Sequence, residues 1–164
     1  MKFRTIVDLP AARWKLEPGM KMMCLGSCFA QEIGSRMQGS LPEGQVMINP
    51  NGVLYNPASI SNVLNALLDD SYDDSEMVFW GRDGFWHSWM HTNKFYGNDK
   101  ATFTTSLEKN RIQAKCFLKE ADVLVITWGT SHVYRLRKNV ETVVSNCHKE
   151  HPAIFLEKRL TVGE

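Results

Sequence analysis

A serine hydroxyl and a cysteine thiol stand side by side at Ser27 and Cys28, directly after the apolar run 22–25 and Gly26. Either group can attack a carbonyl carbon once a base has removed its proton. Helix-like sequence resumes after them, and the free N–H groups at a helix N-terminus can stabilise an oxyanion. The pattern predicts a nucleophile at the carboxyl end of a buried strand, with Ser27 favoured and Cys28 a rival. Helix capping by Ser27 explains the same spacing, and the two roles can coexist.

The strands that would position this serine are read from short apolar runs. Residues 22–25 and 123–126 are apolar on both faces, which is typical of parallel strands covered by helices. Shorter strands are predicted at 3–7 and 46–48, and a hairpin is predicted around 81–84, where glycine and aspartate favour a turn. Both long runs end in a turn that combines glycine with hydroxyl residues.

Three helices are predicted between these strands. The first follows Ser27 and ends at Gly39, and its apolar stripe consists of Phe29, Ile33 and Met37. The second is capped by Asn56, and its apolar positions are Ile60, Val63, Leu64, Leu67 and Leu68. A capping box formed by Thr105 and Glu108 predicts a third helix that ends near residue 119.

This alternation predicts one α/β domain over residues 1–164, with a doubly wound, mainly parallel sheet and flanking helices. A chain of this length suffices for one domain with a core of its own. Thr161 and Glu164 have the spacing of a capping box, which indicates that a helix begins there. We therefore expect the domain to be incomplete at its C-terminus.

The composition of the chain limits the classes of partner that it is expected to bind. The chain is 43% hydrophobic and 23% charged with a net charge of +1, and its charges are scattered, so we expect neither a nucleic acid nor a membrane as partner. No signal peptide or membrane-spanning run is apparent, which predicts a cytoplasmic location by default. The four cysteines show no C-x-x-C spacing, and we expect no metal and no cofactor. The oligomeric state is left open.

Two motifs resemble those of a known family. Residues 26–30 read G-S-C-F-A and residues 49–57 read N-P-N-G-V-L-Y-N-P. Segments at 3–5, 89–91, 129–130 and 146–149 follow the same family order. The chain thus resembles the GSCFA family, which is similar to the SGNH hydrolases, and the resemblance implies a flavodoxin-like SGNH-type fold.

The resemblance also implies roles for single residues. In SGNH-like hydrolases a serine after the first strand is the nucleophile, which matches Ser27, and a glycine N–H helps to hold the oxyanion, which matches Gly52. The family relationship places an oxyanion block of Gly-x-Asn-Asp form at residues 129–132, where Ser131 replaces the asparagine. Thr130 or Ser131 would then donate a weaker hydrogen bond.

The histidine expected to activate the serine is absent. SGNH-like hydrolases carry a D-x-x-H motif near the C-terminus, and no histidine of this chain stands three residues after an aspartate. The base is therefore expected from sequence outside this chain. His91, Gly129 and His132 are candidates for substrate binding, although His91 is as easily read as a structural histidine among aromatic residues.

These implications favour a serine esterase or acyl hydrolase that acts on a small-molecule or glycan ester, for example on the O-acetyl groups of a glycan. The 164-residue chain alone is expected to be inactive or weak, because loss of a general base costs several orders of magnitude in rate. The alternative is a non-catalytic module that binds a carbohydrate or a protein on a degenerate hydrolase fold.

Overall fold

The computed structural model describes residue 8 and residues 10–163, so the predicted strand at 3–7 lies outside the described residues. In chain order the elements are β1 (Met22–Gly26), α1 (Cys28–Gln38), β2 (Val46–Ile48), α2 (Pro57–Leu68), a 3-10 helix (Asp74–Met77), β3 (Val78–Trp80), β4 (Trp86–Ser88), α3 (Lys100–Glu120), β5 (Val123–Thr127), β6 (His132–Leu136), β7 (Asn139–Val144), a second 3-10 helix (Pro152–Ile154) and β8 (Phe155–Arg159).

A three-stranded parallel sheet forms the centre, in the order β2-β1-β5. Met22 lies opposite both Val46 and Val123, and the pairing of β1 with β5 runs on to Gly26 opposite Thr127. Because the two strands are parallel and in register, their carboxyl ends meet at one edge of the sheet. This register places the residue after Gly26 beside the end of β5.

Helices cover both faces of β1, which explains why every one of its residues is buried. On one face, Met22 and Cys24 pack with Ala30 of α1. On the other face, Met23 and Leu25 pack with α2 and with Ala114 of α3. The continuous apolar run of β1 therefore follows from burial on two sides.

Burial of β5 is only partial. In this strand Leu124 and Ile126 are 42% and 37% exposed. They lie opposite Met23 and Leu25, on the side covered by α2 and α3, but the helices stop short of this edge strand. The predicted strand is confirmed, whereas its predicted burial on both faces is wrong for β5.

The first helix packs through small residues. Its buried residues are Ala30 and Gly34, while Phe29 is 62% exposed, so the predicted apolar stripe is wrong at Phe29. A Cβ on Gly34 would lie 2.7 Å from Cγ1 of Ile48, which shows how closely α1 approaches β2. A helix this close to the sheet has no room for a large side chain at its centre.

The third helix begins earlier than predicted. Asp99 is its N-cap, and the Asp99 carboxylate accepts the N–H of Thr102 at 2.9 Å. Thr105 lies inside the helix, where its hydroxyl donates to the carbonyl of Ala101. The Asp99 side chain caps the helix instead of Thr105, so the helix begins six residues earlier than predicted. The predicted box at the end of the chain reaches Glu164, which lies outside the described residues.

Antiparallel pairing accounts for the other described strands. The predicted hairpin is confirmed as β3-β4, and a second sheet has the order β7-β6-β8. The fold is therefore mixed α/β. The predicted parallel sheet is confirmed for β2-β1-β5, and the other five of the eight described strands pair antiparallel in two separate sheets. None of the described helices has the length and apolar character needed to cross a membrane.

Candidate active site around Ser27

Ser27 connects the end of β1 to the start of α1. Its Oγ caps the helix by accepting the N–H of Phe29 at 3.3 Å, and the same atom lies 2.9 Å from Oγ1 of Thr127. The N–H of Ser27 donates to the Thr127 carbonyl at 3.2 Å and to Oγ1 at 3.1 Å. The side chain is only 6% exposed, so its hydroxyl is held in a fixed direction by two neighbouring elements.

Gly26 allows β1 and β5 to meet closely at this point. Its φ is +131°, and a Cβ here would lie 2.0 Å from the carbonyl oxygen of Thr127. Its N–H donates to Oδ1 of Asn49 at 2.8 Å, and its carbonyl accepts the N–H of Leu54 at the same distance. Glycine is required at this position because any side chain would push the two strands apart.

Asn49 ties the loop after β2 to this edge of the sheet. It is buried, with φ at +42°, and its backbone N–H donates to the Cys24 carbonyl. Its side-chain N–H donates to Oε1 of Gln31 on α1 at 3.2 Å. Asparagine tolerates left-handed backbone better than most residues, which suits it to this connection. The run of turn formers from residue 49 signalled the loop, but not this role.

The N–H of Gly52 closes a turn in this structure. It donates to the carbonyl of Asn49 at 2.7 Å, and φ at Gly52 is +85°. A Cβ here would lie 2.0 Å from Oγ1 of Thr92, so the loop packs tightly against the next segment. An oxyanion bound at this N–H would have to compete with the Asn49 carbonyl.

Residues 129–131 reach Ser27 through Gly129. A Cβ on Gly129 would lie 3.0 Å from Cδ1 of Tyr55 and 3.7 Å from Cβ of Ser27. The N–H groups of Gly129 and Thr130 both donate to the Tyr55 carbonyl, at 2.8 and 3.0 Å. The Thr130 hydroxyl accepts the N–H of His132, and the carbonyl of Ser131 accepts the N–H of Leu160.

His91 is inside the protein, 2% exposed. The Asn51 side-chain nitrogen lies 3.2 Å from the Met90 carbonyl, which needs a donor, and 3.0 Å from His91 Nε2. Nε2 is therefore the acceptor, and Nδ1 carries the proton and donates to the Ser88 hydroxyl at 3.0 Å. Burial first, and the nearby His148 second, lower the pKa of His91 to about 3. The His91 ring is thus neutral and hydrogen-bonded at both of its nitrogens, and it does not line an open cleft.

The other imidazoles are also engaged elsewhere or buried. His132 is exposed on β6, and its Nδ1 lies 2.8 Å from Oε1 of Glu157. His87 is bonded to Asp83, and His151 caps the second 3-10 helix. All five histidines lie in the described part of the chain, and none of them hydrogen-bonds to Ser27 there.

Three exposed aromatic residues are neighbours of the residues that position Ser27. Phe29, Tyr55 and Trp128 are 62%, 47% and 67% exposed, and we call them the aromatic rim. Phe29 lies two residues beyond Ser27, Trp128 follows Thr127, and the Tyr55 ring contacts Gly129. Flat apolar surfaces of this kind bind sugar faces, acyl chains or aryl groups.

The rival nucleophile Cys28 is exposed at the first position of α1, whereas the Ser27 side chain is held against Thr127. All four cysteines are free thiols. Within the described residues, no three histidine, cysteine, aspartate or glutamate side chains are grouped closely enough to hold a metal ion.

The residues that build this site lie within one family domain. A model of the GSCFA family matches residues 21–164. The chain belongs to the GSCFA family. The GSCFA match extends from the start of β1 through β8, so it includes Ser27, Asn49, Gly52 and Gly129. Neither the curated proteins nor the solved structures contain a match to the chain.

Proposed function

We propose that this GSCFA domain is a serine-dependent ester hydrolase with Ser27 as its nucleophile. The supporting observation is the position of Ser27 between the carboxyl end of the central parallel strand and the N-terminus of α1. Open α/β sheets bind ligands at this edge, and the helix N-terminus favours developing negative charge.

In the proposed reaction a general base takes the Ser27 proton while Oγ attacks the ester carbonyl carbon. The tetrahedral intermediate carries its negative charge on the former carbonyl oxygen, which N–H groups of the first turn of α1 would stabilise. Collapse expels the alcohol, and water then hydrolyses the acyl-enzyme and restores Ser27. The Thr127 hydroxyl is a positioning group, since it lies 2.9 Å from Oγ.

Further oxyanion donors are proposed from the loops. The Gly52 N–H would donate to the oxyanion after it gives up its hydrogen bond to the Asn49 carbonyl. The hydroxyls of Thr130 and Ser131 would act as side-chain donors to the same oxyanion. The proposed general base is a residue that does not contact Ser27 among the described residues. By analogy with SGNH hydrolases, we expect this base to be a histidine.

The proposed substrate is a small-molecule or glycan ester. Its sugar or acyl part would stack on the aromatic rim, whose three residues are exposed. Removal of O-acetyl groups from a glycan is the reaction that best combines a stacking surface with a serine nucleophile.

A fluorophosphonate probe and p-nitrophenyl acetate test this proposal on the full-length protein. We expect probe labelling and turnover that are lost in Ser27→Ala and retained in Cys28→Ala. Cys28 is the matched control, because it is the adjacent nucleophile and is exposed. Turnover of p-nitrophenyl acetate that is lost in Cys28→Ala and retained in Ser27→Ala would assign the chemistry to the thiol. A folded protein that shows neither labelling nor turnover would contradict the proposal.

A non-catalytic carbohydrate-binding or protein-binding module is the second candidate. It is favoured by the hydrogen bonds of Ser27, which join its Oγ to Phe29 and Thr127 with no histidine among the described partners. Titration with acetylated xylo-oligosaccharides by calorimetry separates the two. Binding that survives Ser27→Ala and is lost in Trp128→Ala, without any turnover, would support the module.

A further inference from the structure

A cavity of about 530 Å³ lies on the antiparallel side of the molecule, away from Ser27. It opens between the β6-β7 turn and the second 3-10 helix, and none of its lining residues belongs to the group around Ser27. The lining consists of Trp89, Leu136, Arg137, Lys138, Ala153 and Ile154. Its volume is within the range of small-molecule sites.

The cavity combines an apolar wall with a cationic rim. Trp89 and Leu136 belong to the apolar cluster of Val144 and Phe155, so that wall is firmly packed. Arg137 and Lys138 form the two-residue turn between β6 and β7. A ligand that fills this space would need both apolar surface and a group that complements positive charge.

The guanidinium of Arg137 is held in place by backbone oxygens. Its Nε donates to the carbonyl of Ala153 at 3.0 Å, and Nη2 donates to the carbonyl of Phe155 at 3.2 Å. The backbone N–H of Arg137 donates to the carbonyl of Ile154 at 2.8 Å. These bonds fix the width of the cavity and orient the cation without neutralising it, because carbonyls carry no net charge.

Among the described residues, neither Arg137 nor Lys138 forms an ion pair with an aspartate or glutamate. Arg135 adds a third cation to the same hairpin, where Glu141 is the one acid. The positive charge at the cavity is thus available to an anionic group of a ligand.

We propose that this cavity binds a small amphipathic anion. Its aromatic or aliphatic body would pack on Trp89, Leu136 and Ile154, and its carboxylate or sulfonate would lie against Arg137 and Lys138. The site is separate from the proposed ester hydrolase and does not depend on it.

Calorimetry with naphthalene-2-sulfonate and its uncharged analogue naphthalene-2-sulfonamide tests the proposal on the full-length protein. We expect the sulfonate to bind several-fold more tightly, and its affinity to fall as salt is added. Equal affinity for the two probes, or no binding of either one, would overturn the proposal.

Two variants locate the site. Lys138→Gln is expected to weaken sulfonate binding by about two- to fivefold, in keeping with one exposed charge contact, and to leave sulfonamide binding unchanged. Ala153→Phe fills the cavity while keeping every backbone bond, and we expect it to abolish binding of both probes. Lys94→Gln removes an exposed lysine outside the lining and is the matched control.

The thermal midpoint of each variant is measured first, so that lost binding is separated from lost folding. If a folded Ala153→Phe variant binds the sulfonate as the wild type does, the probe lies elsewhere and the proposal is wrong. If Lys94→Gln weakens binding as much as Lys138→Gln does, the effect reflects net charge and the proposal is also wrong.

Discussion

Two glycines with positive φ give a matched test of close packing at the residue scale. A Cβ on Gly26 would lie 2.0 Å from the Thr127 carbonyl oxygen, whereas a Cβ on Gly44 would meet nothing within 4 Å. Gly26→Ala should therefore lower the free energy of unfolding by about 3 kcal/mol or more, from backbone strain together with overpacking. Gly44→Ala should cost about 1 kcal/mol, from backbone strain alone.

Urea denaturation of both variants checks this prediction. Similar losses in Gly26→Ala and Gly44→Ala would show that strand proximity at Thr127 contributes nothing beyond the backbone conformation.

The sequence motifs predict only part of the candidate site. Ser27 and Gly129 are predicted because they belong to short local patterns, and a Cβ added at Gly129 would lie 3.7 Å from Cβ of Ser27. The bonds of Ser27 to Thr127 join residues 100 positions apart, and those of Asn49 to Gly26 join residues 23 apart. Roles that depend on such distant pairing cannot be read from local spacing.

The N-cap of α2 gives a prediction at the scale of an element. Asn56 Oδ1 accepts the N–H of Ser59 at 2.8 Å, and the Asn56 side chain is buried. Asn56→Ala should lower the free energy of unfolding by about 1 kcal/mol, because that donor loses its acceptor away from water. Asn65→Ala is the control, since Asn65 is exposed inside the same helix and alanine is the better helix former there.

Chemical denaturation of the two variants provides the measurement. A loss in Asn65→Ala as large as that in Asn56→Ala would contradict the capping assignment.

Elements with strong local signals are predicted well. The strand β2 and the start of α2 at Pro57 agree with the sequence, because turn formers and a clear apolar period mark them. The sheet of β6, β7 and β8 is missed. Its strands mix charged and apolar residues and hold few buried positions, so their alternation is weak. They are stabilised by pairing with each other rather than by intrinsic pattern.

At the scale of the whole molecule, two buried histidines predict acid sensitivity. Burial first, and the neighbouring His87 second, lower the pKa of His148 to about 4, and the pKa of His91 is about 3. The pKa of a histidine in the unfolded chain is near 6.5. Below that pH the unfolded state binds a proton at each of these histidines, whereas the folded state keeps them neutral until the pH falls to their lowered pKa. The free energy of unfolding should therefore fall by about 3 kcal/mol for His148 between pH 6.5 and pH 4.

Urea denaturation across this pH range measures the slope. We expect a flatter profile in His148→Phe, which keeps an aromatic ring packed edge-on against Phe79 and Trp89. An unchanged slope in a folded His148→Phe variant would assign the acid sensitivity to other groups.

The pairing of β1 with β5 also implies a delay during synthesis between the appearance of the two strands. The contact between Ser27 and Thr127 spans 100 residues of chain, so β1 leaves the ribosome long before its partner strand exists. At about 5–20 residues per second, the apolar β1 waits roughly 5–20 seconds before β5 emerges. Until then its buried methionines and leucine have only nearby chain for cover, which makes the nascent protein a natural client for a ribosome-associated chaperone.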